Sequence, residues 1–143
     1  MKFTIPGEPT GKARPRVTRW GTHNTEKTIL YENLVKMCYQ EQCRDNWKDE
    51  TQAWGVKYTE KPLIAFVEVY YSIPKSTPKK NILPMLKGEI RPCKKPDVDN
   101  IIKVVFDALN GIAYKDDTQI FEVHAVKRYG ETARVEVELF EIN

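Results

Sequence analysis

The sequence predicts one α+β domain in which helices pack on a mixed β-sheet. Segments with a strand pattern and segments with helical periodicity follow one another in the order β-α-β-loop-α-β-β. No internal repeat and no sign of a second domain appears, and 143 residues is an ordinary length for a single domain. We therefore expect one compact domain over residues 1–143, with a sheet flanked by helices and a β-hairpin at the end.

The first half of the chain predicts a strand, a basic connection and a helix. "KFTIPG" alternates Phe3 and Ile5 and stops at a Pro-Gly pair, which indicates a short strand. The segment "EPTGKARPRVTRWGTHN" is rich in Gly, Pro, Arg and Lys and predicts an extended loop or an edge strand. From about residue 25 to residue 44, apolar side chains recur at helical spacing: Leu30, Leu34, Met37 and Cys38. The next residues, 45–61, are polar with two tryptophans and fit either a loop or a helix tail.

The second half contains the strongest strand of the chain. In "PLIAFVEVYYSIP" one face is apolar throughout and the other is apolar at its start, which predicts a central strand. The residues of the first face are Leu63, Ala65, Val67, Val69 and Tyr71. "KSTPKKNILPMLKGEIRPCKKP" has four prolines and predicts a loop with one short helix near residues 79–87. The last 26 residues, 118–143, predict a hairpin that turns near Gly130.

Charge is segregated along the chain, although the net charge is only +3. Residues 1–20 hold five basic groups and one acid, and residues 75–95 hold seven basic groups and one acid. Residues 96–122 reverse this, with six acids against two lysines. Two basic segments beside an acidic one suggest a polyanion held around a carboxylate site. The alternative is a solvated surface whose charges are merely uneven.

Composition excludes several other classes of protein. Hydrophobic residues make up 41% and charged residues 30%, which is typical of a soluble globular protein. Three cysteines without a C-x-x-C pair and only two histidines argue against a structural zinc site and fit reduced thiols. No signal-peptide core or membrane-spanning run is present, so we expect a cytoplasmic protein without a membrane partner. A Gly-rich phosphate loop is also missing, and we expect no small-molecule cofactor.

The stretch "KPDVDNIIKVVFDALNGIAYKDDTQI" contains the candidate chemistry. If "PDVD" is extended, the side chains of Asp97 and Asp99 point the same way, and Asp99 can also cap a helix over residues 100–109. That helix is expected to stop at the Asn-Gly pair, residues 110 and 111, and it is apolar except for one polar stripe, which consists of Asn100, Lys103, Asp107 and Asn110. The stripe continues from the acidic pair, so Lys103 can reach the same space as Asp99.

A second acidic pair, Asp116 and Asp117, follows after a short connection that returns it near the helix. In an extended segment the two point to opposite sides, so only one is expected to join Asp97 and Asp99. Three carboxylates without histidine or thiol suit Mg²⁺ or Mn²⁺. Such a site can hydrolyse a phosphodiester while the basic segments hold the polyanion. Each acid also has a purely structural interpretation, as a helix cap or a turn residue, and Lys103 can be a surface lysine.

The same stretch resembles the signature of the RusA family of Holliday junction resolvases, found in prophages and bacteriophages. The family pattern P-D-x-D-N-x-x-K, then D-A-L-N-G, then D-D-x-Q-[VI] is filled at every position, and "IPGEPTGKARPRVTR" is similar to the family's opening. The resemblance implies a homodimeric, metal-dependent endonuclease that binds four-way DNA junctions and nicks two opposing strands, in DNA recombination and repair. It implies metal-binding catalytic roles for Asp97, Asp99 and Asp117, with Asp116 as an additional ligand, and it makes Lys103 the essential lysine. The DNA contacts are then expected from the basic segments: Lys12, Arg14, Arg16, Arg19, Lys75, Lys79 and Lys80.

Two other functions remain open from the sequence alone. The chain could bind structured DNA without cutting it, with the acids serving only as caps and turns. It could also be a metal-dependent enzyme for another phosphate compound, such as a nucleotide, although the missing Gly-rich loop argues against this.

Overall fold

A computed structural model describes residues 1–43 and 58–143 of the chain. The predicted loop or helix tail at residues 45–61, with both of its tryptophans, falls mostly outside these residues. The elements in order are β1 (Lys2–Pro6), β2 (Arg16–Thr18), β3 (Gly21–His23), α1 (Glu26–Cys43), β4 (Leu63–Ser72), α2 (Lys79–Leu86), α3 (Val98–Leu109), a 3₁₀ turn (Asp117–Gln119), β5 (Ile120–Gly130) and β6 (Arg134–Glu141). The predicted α+β class with a mixed sheet is confirmed.

The four-stranded sheet has the order β1-β6-β4-β5. β4 and β5 are parallel, whereas β6 is antiparallel to both β1 and β4. Parallel neighbours need a long crossover connection. Here that crossover contains α2 and α3, and it returns the chain to the sheet at the second acidic pair.

The two C-terminal strands turn near Gly130 as predicted, but they are not hydrogen-bonded to each other. β4 lies between them: Tyr70 is opposite Arg128 of β5 on one side and opposite Arg134 of β6 on the other. The reason is the apolar character of β4, because a strand that is apolar on much of both faces is favoured at an inner position. The prediction of a central strand is confirmed.

One face of the sheet forms the core with helices α1 and α3. The predicted inward side chains of β4 are all buried, with at most 2% of their surface exposed. Helix α1 is present, and of the four apolar residues predicted at helical spacing Cys38 is buried and Leu34 packs partly against the core. The other two, Leu30 and Met37, are 62% and 55% exposed. The buried residues of α1 are Thr28, Tyr31, Val35, Cys38, Tyr39 and Cys43. The aliphatic pattern overlooks the two tyrosines, whose rings fill the space between α1 and the sheet.

Helix α3 begins two residues earlier than predicted. Val98 is its first residue and Asp97, in the extended conformation, is its N-cap residue. Six residues of the helix are buried, namely Ile101, Val104, Val105, Phe106, Ala108 and Leu109. The helix ends at Leu109, and Gly111 takes the left-handed conformation with φ +72°, which confirms the predicted stop at the Asn-Gly pair.

Candidate active site at helix α3 and the start of β5

Asp97 and Asp99 both lie exposed at the N-terminus of α3. Asp99 sits inside the first turn, so the expectation that it caps the helix is wrong, as is the assumption that "PDVD" is extended throughout. Within the described residues, Asp97 occupies the cap position but its side chain makes no capping hydrogen bond. Both carboxylates are stabilised by the positive end of the helix dipole, and both remain available to a cation or a ligand.

The segment leading into α3 is fastened to the sheet. Tyr71 Oη donates a hydrogen bond of 2.7 Å to the carbonyl of Pro96, the residue before Asp97. Lys127 Nζ donates one of 2.5 Å to the carbonyl of Lys94. Burial raises the pKa of Tyr71 to about 12, and the negative charges of Asp97 and Glu8 contribute to this. Tyr71 therefore stays a neutral hydroxyl donor at physiological pH and holds the position of Asp97.

A cleft runs between this segment and residues 9–13, and Asp97 is part of its wall. Three lysines, Lys12, Lys27 and Lys95, line the same cleft together with Asn100. Gly11 is needed here, since a Cβ at this position would come within 2.9 Å of Pro96 Cβ. The backbone of residue 12 also donates a 2.9 Å hydrogen bond to the carbonyl of Asn100. A carboxylate surrounded by lysines suits a phosphate group that is close to a metal ion.

The second acidic pair divides its two carboxylates between different roles. Asp116 caps the 3₁₀ turn: its side chain accepts from the Thr118 amide at 3.4 Å, and the Gln119 side chain accepts from the Asp116 amide at 2.9 Å. The amide of Asp117 donates to Asn110 Oδ1 at 2.8 Å. This arrangement holds Asp117 against the end of α3 and leaves its carboxylate out of the cap.

The carboxylate of Asp117 lies next to those of Asp107 and Asp116. Burial raises the pKa of Asp117, and a hydrogen bond to Asp116 and the negative charges of Asp107 and Asp116 raise it further. Carboxylates that repel each other in this way are stabilised by either a proton or a cation. The raised pKa thus marks a place where positive charge is favoured.

Lys12 supplies part of that charge from within the protein. Its ammonium group contacts Glu32 Oε1 at 2.6 Å and Asp107 Oδ2 at 3.2 Å, and only 12% of its side chain is exposed. Burial lowers the pKa of Lys12, but the hydrogen bonds and charges of Glu32 and Asp107 outweigh this, so the pKa is raised overall. Lys12, which the sequence predicts to contact DNA, links the N-terminal segment to α1 and α3.

The remaining residues singled out from the sequence are at the surface. Lys103 is exposed on α3. Arg14, Arg16 and Arg19 are exposed around the β2–β3 hairpin. Lys75, Lys79 and Lys80 are exposed before and within the first turn of α2.

The donor chemistry around α3 fits a hard divalent cation, since the acids that meet there, Asp107, Asp116 and Asp117, offer carboxylate oxygens. The described residues bring Asp107, Asp116 and Asp117 together but do not join them to Asp97 and Asp99 in one cage. Among residues 1–43 and 58–143, no three His, Cys, Asp or Glu side chains are placed to hold a metal ion between them. Mg²⁺ commonly needs less than such a cage, because one or two carboxylates bind it together with water and substrate phosphates.

Several residues that build this site could not be identified from the sequence. Asn110 and Gln119 belong to the motif without an expected role, yet both fix the backbone around Asp117. Gln119 Nε2 also donates to the carbonyls of Thr59 and Lys61, each at 3.0 Å. Lys95 belonged only to a basic segment, and Lys27 had no expected role. Their place in the cleft depends on contacts between distant parts of the chain, which no local pattern contains.

Comparisons with known proteins agree with the motif. A family model described as "Endodeoxyribonuclease RusA" matches residues 6–140. The chain is also similar to the "Uncharacterized protein YqaN" of Bacillus subtilis (strain 168), with 36% identity over 149 aligned positions that cover 100% of this chain and 97% of that protein. In the described part of the chain, no helix is long and apolar enough to span a membrane. The match of the family model confirms the resemblance to the RusA family that the sequence motif showed.

Proposed function

Since the chain belongs to the RusA family of endodeoxyribonucleases, we propose that it is a divalent-metal-dependent nuclease that resolves four-way DNA junctions. In this proposal the cuts are paired nicks in opposing strands, the metal is Mg²⁺ or Mn²⁺, and the protein acts in DNA recombination and repair. Membership of the family supports the function, and the arrangement of the site supports the roles proposed for individual residues.

The observation that carries the proposal is the surrounding of Asp117. Its carboxylate meets those of Asp107 and Asp116 at one end of α3, and its pKa is raised by burial and by these neighbours. Asp97 and Asp99 begin the same helix, about 12 Å away along an axis that rises 1.5 Å per residue. The cleft beside Asp97, with three lysines in its wall, suits a bound phosphodiester strand.

Each group then has a defined task. A bound divalent ion would supply the activation of water and the neutralisation of charge on the phosphate. Asp97 and Asp99 would hold an ion at the start of α3, and Asp117 would hold one at the other end of the helix beside Asp107, while Lys27 and Lys95 would bind phosphates that enter the cleft. Lys103, one helical turn after Asp99, would stabilise negative charge that develops on the scissile phosphate. Tyr71 and Lys127 keep Asp97 in place by fixing the segment before α3.

Substitution of Asp99 by Asn tests the proposal. Wild-type protein should nick opposing strands of a labelled four-way junction with Mg²⁺, leave a matched linear duplex intact, and lose activity in EDTA. Asp99→Asn should cut more than about a hundredfold more slowly, because a charged ligand is lost, yet bind the junction at least as tightly, because repulsion of the phosphates is reduced. Glu131→Gln, an exposed acid in the turn after β5, is the matched control and should cut normally.

The second candidate, a DNA-binding protein without nuclease activity, is favoured by the use of Asp116 as a cap. It predicts that the wild-type protein binds the junction without cutting it. Binding without cleavage in both Mg²⁺ and Mn²⁺ would establish this candidate. Cleavage by Asp99→Asn at the wild-type rate would remove Asp99 from the metal site.

The proposal includes a homodimer, since two matched cuts need two sites related by a two-fold axis. β5 is an edge strand, and within the described residues no strand pairs with its outer edge. Two apolar side chains on its helix-facing side are exposed, Phe121 at 59% and Val123 at 41%. A long, open, partly apolar edge favours pairing with another strand. We place the second copy there, with β5 antiparallel to itself.

A further inference from the structure

The β2–β3 hairpin and its flanks, residues 14–24, form a basic arm that is exposed at every position. In the described structure β2 and β3 pair with each other and not with the main sheet. Two-stranded ribbons of this kind have little stability of their own in water. Residues 14–24 hold three arginines and no acid. An exposed arm with this composition is suited to a polyanion.

The root of the arm is fixed beside the candidate active site. Gly11 packs against Pro96 and Asn100, and the amide of residue 12 bonds to the Asn100 carbonyl at 2.9 Å. The Ala13 amide donates to Thr28 Oγ1 on α1 at 3.3 Å. The arm therefore starts next to the first turn of α3, and a DNA strand in the cleft of Asp97 would lie close to it.

The tip of the arm presents an indole ring to solvent. Trp20 is 78% exposed, and the guanidinium of Arg19 lies over its ring at 4.6 Å. Thr18 Oγ1 accepts from the Trp20 amide at 3.2 Å and donates to the Gly21 carbonyl at 3.3 Å. Gly21 has φ +126°, a conformation that side chains rarely allow. The turn is thus closed by its own hydrogen bonds, and Trp20 is held outward, away from the core.

A single exposed aromatic residue is common on protein surfaces and needs no function. What distinguishes Trp20 is its setting, since an aromatic ring among arginines is the combination that binds bases which have lost a stacking neighbour. Inside a continuous duplex every base face is covered. At the branch point of a junction, base pairs can open and expose a face.

We propose that Trp20 stacks on a base at the branch point while Arg14, Arg16 and Arg19 contact the flanking phosphates. This inference rests on the proposed function and goes further, because it assigns junction selectivity to the arm. Stacking of a base on an aromatic side chain contributes on the order of 1–3 kcal/mol. The contribution should appear in binding to the junction and not in binding to a duplex.

The test compares Trp20→Ala, Trp20→Phe and wild type on a four-way junction and a matched duplex, in EDTA so that no cutting occurs. Trp20→Ala should bind the junction about tenfold more weakly, equal to about 1.4 kcal/mol, with duplex binding unchanged. Trp20→Phe should retain most of the affinity.

A fluorescence measurement reports the stacking itself. The fluorescence of a 2-aminopurine placed at the branch point should change when wild-type protein binds, and this change should be much smaller with Trp20→Ala. Met37→Ala, which removes a similarly exposed side chain from α1, is the control and should behave as wild type.

The outcomes separate the two proposals. Wild-type selectivity that persists in Trp20→Ala, with an equal 2-aminopurine response, overturns the stacking role and leaves the nuclease proposal intact. A parallel loss of junction and duplex affinity in Trp20→Ala also overturns it, because the ring would then not recognise the branch. Wild-type protein that does not prefer the junction at all refutes junction recognition itself, and the inference falls with it.

Discussion

Asp116 and Asp117 are adjacent and chemically identical, yet their carboxylates have different surroundings. The Asp116 side chain closes a cap with Thr118 and Gln119, whereas the Asp117 carboxylate meets Asp107 in a partly buried place. The sequence predicted that only one of the pair would join Asp97 and Asp99, whereas in the described residues Asp117 meets Asp107 and Asp116. A hydrogen-bonded turn uses the Asp116 carboxylate and leaves the Asp117 carboxylate out of the cap.

We predict that Asp117→Asn and Asp116→Asn will behave differently. Asp117→Asn should reduce junction cleavage by more than about a hundredfold, because it removes a proposed metal ligand. It should not lower the free energy of unfolding, since it relieves repulsion from Asp107. Asp116→Asn should keep most of the activity and the stability, because Asn caps as well as Asp. Asp116→Ala should lose about 1 kcal/mol of stability, measured by urea unfolding. Equal loss of cleavage in both Asn variants would contradict this division.

Lys12 shows what a residue-level prediction from sequence leaves out. Its position in a basic segment suggested a DNA contact, but its partners Glu32 and Asp107 are 20 and 95 residues away along the chain. Counting charges gives the composition of a segment and not the pairs that folding makes. Arg14 and Arg16, in the same segment, are exposed and stay available for DNA.

At the scale of elements, the basic arm should carry much of the electrostatic part of DNA binding. We predict that replacing Arg14 and Arg16 together by Gln weakens junction binding and flattens its salt dependence. The slope of log affinity against log salt should fall in magnitude by roughly 0.9 for each phosphate that the variant no longer neutralises. Binding titrations at several salt concentrations measure this directly.

The control for this experiment replaces two basic residues outside the arm. Lys2 on β1 and Lys36 on α1 can be changed to Gln with the same reduction of net charge. An identical change of slope in this control would show that total charge, and not the arm, sets the salt dependence.

Elements are predictable from sequence where local chemistry decides them. Strand β4, the stop of α3 at Asn110-Gly111 and the short helix at residues 79–86 are all as predicted. The apolar pattern of α1 was right for Cys38 and in part for Leu34, but it missed Tyr31 and Tyr39, which are buried in the core while Leu30 and Met37 are exposed. The insertion of β4 between β5 and β6 was likewise not predictable. A turn near Gly130 is compatible with two strands that pair with each other and also with two strands that lie on either side of a third.

At the scale of the whole molecule, the open edge of β5 permits a two-fold axis through Val123. Antiparallel pairing about this residue places Val123 opposite itself, Phe121 opposite Ala125, and Glu122 opposite His124 of the second copy. Glu122 and His124 already contact each other within one chain at 2.6 Å, so pairing would extend this contact into a row across the interface. Because Asp117–Gln119 directly precedes β5, the two active sites would lie at opposite ends of the paired strands.

We predict that Val123→Glu dissociates the dimer, because the two-fold axis would bring two carboxylates directly opposite each other. Light scattering after size exclusion should give a dimer for wild type and a monomer for this variant.

Phe140→Glu, which changes an exposed position on β6, is the matched control and should remain a dimer. Leu30→Glu on α1 examines the other exposed apolar stripe. A monomer for Leu30→Glu with a dimer for Val123→Glu would move the interface to α1. If the β5 interface is correct, the Val123→Glu monomer should still nick a junction strand but lose the pairing of the two cuts, since each copy carries one complete set of aspartates.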